Sequence, residues 1–419
     1  MTTKQTRKTP KEYAARRAQL MKRIGPGGVA IVPSAREVVR SRDTHYRFRQ
    51  DSDFSYLTGF PEPDAVAVLA PGRTVKGRKA EFVLFVRDRN PEREIWDGRR
   101  AGPAGAVRDY GADQAFTIEE FERQLAGLLS GRQHVYYTLG EHLHWDSKIT
   151  ACVREIREVS RRGAAAPVDF VALETTLHEM RLRKSVAELK LMRAACEITA
   201  QAHCIAMRTA RPGLHEWQLG AEIHHHFARH DMEPGYGTII GGGDNACILH
   251  YVENSAELRD GDLVLIDAGG ELQGYTADIT RTFPVNGKFT GPQRALYDIV
   301  QASQEAAVAA TRPGARFTDP HEAAVKVLAQ GMLDVGLLDA NKVGTLDDVI
   351  EKRAYFQFYM HRTGHWLGMD VHDCGSYVEP SEIGNGSERK DALSGETITD
   401  RPSRILRPGM VLTIEPGIY

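Results

Sequence analysis

Short apolar runs alternate with helix-like stretches through the first half of this chain. GGVAIVPS (27–34), AVAVLAP (65–71) and EFVLFVRD (81–88) read as strands, with a further strand expected at His134–Tyr137 and a helix between Ile118 and Leu129. Residues 11–24 are good helix formers with Tyr13, Leu20 and Met21 available for a buried face, and predict an opening helix. Its lysines and arginines suit a solvated helix face better than a nucleic-acid arm. Strands alternating with helices imply an α/β layer domain. The run Asp51–Ala65, DSDFSYLTGFPEPDA, mixes aromatics with acids and prolines and reads as an ordered loop packed on the core. The small-residue stretch RRGAAAPV (161–168) interrupts the pattern, so a boundary is placed near Leu173, with residues 1–173 and 174–419 as two domains.

Past that boundary, residues 177–210 have the pattern of one or two long amphipathic helices. Ser185 followed by Glu188 is a capping-box signature for the second, and Arg211-Pro212-Gly213 stops it. A helix from about Glu216 to His230 carries His224, His225 and His226. Consecutive helical residues point about 100° apart, so these three cannot face one metal and a solvated or capping role is expected.

The stretch Gly261–Pro284, GDLVLIDAGGELQGYTADITRTFP, holds two β-like runs separated by glycines and reads as a hairpin. Val264 and Ile266 alternate with Leu263 and Leu265, which suits a strand buried on both faces. With Leu272 and Gln273 as a two-residue turn, Asp267 faces Asp278, their Cβ atoms about 4.5–5.5 Å apart. Two ionised carboxylates so placed repel, and burial raises the pKa of one or both. A divalent cation between them removes the conflict. The plainer alternative is an exposed turn with acids in water, but both aspartates end apolar runs and strand interiors are depleted of Asp.

Composition narrows the classes. A net charge of −2 gives no electrostatic case for nucleic acid or an anionic membrane as the main partner. The five cysteines are odd in number and scattered, with no CxxC pair, which suits a reducing cytoplasm. The N-terminus is basic but lacks a following apolar signal region, and no apolar run approaches the roughly 18 residues that span a bilayer. A soluble, cytoplasmic protein is expected.

Three further segments carry candidate chemistry. Gly241–Asn254, GGGDNACILHYVEN, lacks the phosphate-loop pattern; His250 ends the apolar run 246–249, which places it at a strand end as either a core or a site histidine. Met360–Gly375, MHRTGHWLGMDVHDCG, sets His361, His365 and His372 among glycines. The spacing of His361 and His365 suits a helical metal pair, but Gly364 and Gly368 make a helix poor there, and a loop is expected to bring an imidazole to a metal or substrate. Cys374 reads as a buried thiol rather than a partner of His372. In Met410–Tyr419, MVLTIEPGIY, alternation puts Glu415 at a strand end before a Pro-Gly turn. Carboxylates with a single imidazole favour hard or borderline ions such as Mn²⁺, and bridged ions generate a nucleophilic hydroxide. The residues therefore point to a metal-dependent hydrolase.

The segments IDAGGELQGYTADITRTFPVNGKFT, GGGDNACILHYVEN, HWLGMDVHDCG and LRPGMVLTIEPGIY resemble the peptidase domain of aminopeptidase P, the Xaa-Pro aminopeptidase family. DSDFSYLTGFPEPDA and EREIWDGRR resemble that family's first domain. The resemblance implies a smaller N-terminal α/β domain followed by a pita-bread peptidase domain, two Mn²⁺ ions, and release of the residue that precedes proline by metal-activated hydroxide attack. It assigns Asp267, Asp278, His365 and Glu415 as metal ligands, with Glu415 also the proton acceptor. It assigns His250 and His372 to steadying substrate, and His361 to the leaving-proline side. Trp96 matches a residue that a neighbouring subunit contributes, implying a tetramer or dimer. A prolidase acting on dipeptides, a methionine aminopeptidase-like enzyme and a metal-poor pita-bread peptide- or protein-binding protein are the competing readings.

Two departures from the family pattern stand out. Residues 375–405 form a polar stretch longer than the family core needs, suited to the site mouth or a subunit contact. The chain stops at Tyr419, before the strand that carries the family's second metal-binding glutamate and a nearby arginine. If the polypeptide really stops there it is expected to hold one ion at best and to hydrolyse poorly, whereas the complete protein is expected to cleave Xaa-Pro bonds with Mn²⁺.

Overall fold

The computed structural model describes residues 10–159 and 165–419. Residues 1–9 and the 160–164 part of the small-residue break lie outside the described residues. The chain separates into two compact units, one reaching to Met180 and the other running from Arg181 to Tyr419.

The first unit is built on a six-stranded mixed sheet in the order Asp169–Val171, His134–Tyr136, Gly28–Pro33, Val66–Leu69, Phe82–Val86, Gln114–Thr117. The middle strands pair antiparallel and the outer pairs are parallel. The central strands are apolar throughout because every residue in them is buried. Helices Phe121–Leu129 and Leu143–Glu158 bury Leu125, Leu128, Ile149 and Val153 against Val29, Ile31, Val68 and Phe85.

The opening helix, Pro10–Ile24, spends two of its cations on packing. The Arg16 guanidinium lies 4.1 Å from the Tyr56 ring centre and Arg17 lies 3.9 Å from that of Phe82. Each donates to a main-chain carbonyl, of Tyr56 and Leu57 respectively. Burial pushes Arg17 down to about 10. The segment Asp51–Ala65 is not a loop throughout: Ser52–Thr58 is helical. Asp51 caps it by accepting from the Phe54 amide at 2.7 Å, and Gly59 ends it at φ 62°. The cap and the inward-facing Phe54 and Leu57 outweigh the prolines, which all follow the helix.

In the second unit, helix Val186–Thr209 begins with the reciprocal Ser185–Glu188 cap expected from the sequence. Glu188 is buried, and its second oxygen accepts from the Tyr275 hydroxyl at 2.8 Å, tying the helix start to the hairpin. Helix Glu216–Ala228 follows. Strands Ile239–Gly242, Leu263–Ala268 and Ile279–Pro284 form one antiparallel sheet, and Glu233–Pro234, Gly270–Leu272 and Tyr275–Thr276 form another. Beyond them, helices Gly291–Ala310 and Asp319–Asp334 pack with Val349, Tyr355 and Tyr359 around Leu328 and Met332. No helix among the described residues is long and apolar enough to cross a membrane.

The hairpin forms, but its register differs from expectation by two residues. Leu272 pairs with Tyr275, so Gln273 and Gly274 make the turn, both at positive φ (51° and 78°). Asp267 therefore faces Thr280 rather than Asp278. A shift of two preserves the side-chain face, which leaves the aspartates as diagonal neighbours. Strand Leu263–Ala268 is fully buried on one face only, at Val264, Ile266 and Ala268. The half-buried face carries Leu263, Leu265 and Asp267. The ladder breaks at Gly269, where a Cβ would lie 1.7 Å from the Ala277 carbonyl oxygen, and Asp278 sits in that break.

The C-terminal segment is extended rather than a regular strand. Leu412 bridges Trp366, and the Leu367, Thr413 and Glu415 amides donate to the Val411, His365 and Thr363 carbonyls. The ladder is interrupted because the His365 amide donates to the Thr413 hydroxyl instead of to its carbonyl.

Candidate metal centre

Asp278 comes from the hairpin break, His365 from the glycine-containing loop, and Glu415 from the extended C-terminal segment. Their ligand atoms all lie within 4.8 Å of one another. His365 Nε2 is 3.2 Å from an oxygen of Asp278 and 3.2 Å from one of Glu415. Its Nδ1 lies 2.9 Å from the Trp366 carbonyl, which can only accept, so the proton sits on Nδ1 and Nε2 faces two carboxylates. Glu415 is oriented by the Thr413 hydroxyl, which donates to it at 2.7 Å. Gly364 permits the close approach: a Cβ there would lie 2.0 Å from the Thr413 carbonyl oxygen.

Asp267 joins through Tyr236, whose hydroxyl is 2.5 Å from an Asp267 oxygen and 3.2 Å from one of Asp278. Burial, with the Asp278 charge adding to it, pushes Asp267 up to about 7. For His365, burial acts downward, but the hydrogen bonds to Asp278 and Glu415 prevail and hold it up at about 10. The Tyr236 hydroxyl is pushed well above its ordinary value by burial and by the two aspartates. These shifts share one cause, an excess of negative charge in a partly desolvated pocket. The protein takes up protons where a cation would sit, and three carboxylates with one imidazole suit a hard or borderline divalent ion.

The neighbouring histidines are distributed around this cluster. His372 stacks edge-on against His365 with ring centres 4.3 Å apart, and burial first, then His365, pushes its pKa down. His361 is fixed at both nitrogens, by the Arg362 carbonyl at 2.7 Å and the Tyr419 hydroxyl at 3.1 Å. His250 is not at a strand end. The residues before it form a 3₁₀ turn, Gly243–Cys247, and His250 lies exposed in the next turn, near enough that its charge bears on His372. Asn254 fastens that loop by accepting from the Ile240 amide and donating to the Thr238 carbonyl. Trp96 belongs to the first unit, on helix Pro91–Asp97, and is 84% exposed.

Within Gly241–Gly243 the Gly242 amide is already engaged by a carboxylate, where a phosphate loop would leave its amides open. Buried Glu216 accepts from the Gly242 amide, Asn245, the Tyr251 hydroxyl and the Ala256 amide. His224 meets the Thr238 hydroxyl and His226 stacks on His230, so the adjacent histidines diverge as helical geometry requires. Sequence reasoning missed Tyr236 and Thr413. Tyr236 stands alone between Gly235 and Gly237 with no periodic signal, whereas Thr413 shares alternation with Glu415 and was open to recognition as its neighbour.

Carboxylates converging with a histidine suit a metal-dependent hydrolase, and the proteins this chain is similar to are metallopeptidases. Residues 190–419 match metallopeptidase family M24, and residues 13–136 match the aminopeptidase P N-terminal domain. The Xaa-Pro aminopeptidase of Escherichia coli (strain K12) is 44% identical over 97% of this chain and 86% of its own length. Human Xaa-Pro aminopeptidase 3 is 34% identical over 97% of this chain and 76% of its own. The solved structure of Pseudomonas aeruginosa aminopeptidase PepP superposes with a TM-score of 0.90 at 47% identity, covering 99% of this chain and 87% of that one. The chain belongs to the aminopeptidase P family of M24 metallopeptidases, with that family's N-terminal domain and pita-bread peptidase domain.

Proposed function

We propose that this protein is a metal-dependent Xaa-Pro aminopeptidase, releasing the N-terminal residue of peptides that carry proline second. The observation that carries this reading is the convergence of Asp278, His365 and Glu415, with Asp267 joined through Tyr236, in a chain 44% identical to the E. coli Xaa-Pro aminopeptidase. Asp267, Asp278, His365 and Glu415 would hold divalent metal, two ions in the complete family site, with manganese as the native metal. Bound there, divalent metal would supply a Lewis acid for the scissile carbonyl and lower the pKa of water toward neutrality. Glu415, aimed by Thr413, accepts the proton of the attacking water. His372 and His250 steady the substrate carbonyl and the charge that develops on it, and His361, braced by Tyr419, lines the leaving-proline side. A cytoplasmic location accords with five free cysteines. Exposed Trp96 and Ile95 suit a homo-oligomeric contact in which Trp96 reaches a neighbour's site, as in the family tetramer.

Full-length protein loaded with Mn²⁺ is expected to release free alanine from an Ala-Pro-Xaa peptide, to leave the matching Ala-Ala-Xaa peptide uncut, and to stop in EDTA. Cleavage of both peptides alike, or of Ala-Pro dipeptide alone, would sink the assignment. Tyr236→Phe removes the hydroxyl shared by the two aspartates and touches no other ligand. It is expected to weaken Mn²⁺ binding by about 10–100-fold with an unchanged circular dichroism spectrum, because hydrogen-bond partners of metal ligands contribute on that scale. Isothermal titration with Mn²⁺ gives the answer directly.

A further inference from the structure

The loop that carries His365 and His372 also carries a carboxylate with no place in the reaction just described. Asp373 is 5% exposed and is gripped by two cations. Lys184 Nζ lies 2.8 Å from one of its oxygens, with both side chains 1% exposed, and Arg181 Nη2 lies 2.7 Å from the other. The same Arg181 nitrogen is 2.7 Å from Asp370. We propose that Asp373 is a positioning residue. Clamped by Lys184 and Arg181, it fixes the loop so that His372 stands against His365.

The connections run to each part of the centre. The Asp373 amide donates to the Trp366 carbonyl at 2.9 Å and the Gly368 amide to the Asp370 carbonyl at 3.2 Å, closing the loop on itself. The Gly368 carbonyl accepts from the Thr276 amide at 2.9 Å, two residues before Asp278. The Lys184 amide donates to the Gly409 carbonyl at 2.8 Å, at the start of the segment that leads to Glu415. Gly368 has to lack a side chain for the clamp to form. A Cβ there would lie 2.1 Å from an Asp373 oxygen and 2.9 Å from the Lys184 Cε.

Stability alone is a poor reason for this arrangement. Desolvating a buried ion pair is costly, and apolar replacements of similar volume are often neutral or stabilising. What the pair supplies is a single loop geometry, one residue from His372. This inference rests on the proposed role of His372 in steadying substrate, and the test separates the two.

Lys184→Met keeps an unbranched side chain one atom shorter and removes its charge; Asp373→Asn keeps an acceptor and the volume. On an Ala-Pro-Xaa peptide each is expected to lower kcat by about 10–100-fold, the loss that small misplacements of a reacting group produce. KM is expected to stay within about twofold and Mn²⁺ content to match wild type. Lys184→Arg should restore most of the rate. In a His372→Ala background, Lys184→Met should cost less than about twofold more, since residues acting through one another are non-additive. Independently of activity, the His372 imidazole signal of the metal-free protein, identified by its loss in His372→Ala, should shift and broaden in Lys184→Met. Wild-type kcat with an unmoved His372 signal in either variant overturns the inference, as does a full additive loss in the His372→Ala background. If wild type releases no alanine while the His372 signal still moves, the functional reading fails and the positioning stands.

Discussion

Asp278→Ala is expected to lower Xaa-Pro hydrolysis by at least about 10³-fold while leaving the fold of the metal-free protein intact. Asp278 meets several groups of the centre at once. It stands 3.2 Å from His365 Nε2, 3.2 Å from the Tyr236 hydroxyl, and close enough to Asp267 to raise it. Losing a partner that merely supports a ligand costs about 10–100-fold in affinity or activity, and losing a ligand costs more. In the metal-free protein two effects oppose each other. The repulsion between Asp267 and Asp278 is relieved, while His365 loses one of its two carboxylates. The melting temperature in EDTA should therefore move by only a few degrees. The difference appears on adding metal. An ion at a hundred times its Kd stabilises a folded protein by about 2.7 kcal/mol, and wild type should gain on that scale while the variant gains little. An Asp278→Ala protein with wild-type turnover and metal content would remove Asp278 from the ligand set.

How far the sequence discloses this centre depends on which interactions are local. Two aspartates in strand-like runs are visible from Asp depletion in strands alone, and so is their shared face, because a register error of two preserves parity. The error itself arose from leaving Gly274 out of the turn: at φ 78° it takes the left-handed conformation that glycine favours, so residue preference pointed to Gln273-Gly274 rather than to Leu272-Gln273. The Ser185 cap was legible because its partner is three residues away. The helix behind Asp51 was not, because the prolines that follow it dominated the reading of the segment. Spacing could not decide among His361, His365 and His372. Their loop has no repeat, and its path is set by contacts such as Gly364 on Thr413 and Lys184 on Asp373, the second between residues 189 apart in the chain. Resemblance to a family supplied what periodicity could not.

The second large effect concerns charge rather than chemistry, and it changes sign when metal is added. In the metal-free protein Asp267 titrates at about 7 because burial and Asp278 disfavour its anion. Its unfolded value is about 3.9. A group whose folded pKa is raised contributes its full stability below the unfolded pKa and loses it as pH rises through the folded one. Between pH 4 and pH 7 the metal-free protein therefore forfeits stability on the order of 3–4 kcal/mol through this residue, at 1.36 kcal/mol per unit. Asp267→Asn removes the titration while keeping an acceptor for Tyr236 and offering Thr280 and Asp278 a donor. In EDTA at pH 8 the variant should be the more stable protein by up to that amount, with the gap closing toward zero near pH 4. Urea unfolding at a series of pH values measures it. With saturating Mn²⁺ at pH 8 the order should invert, because only wild type retains the carboxylate that a cation neutralises. A variant no more stable than wild type in EDTA at pH 8 would mean that Asp267 is ionised without penalty, and that the negative charge of the centre is already balanced by groups other than a bound metal.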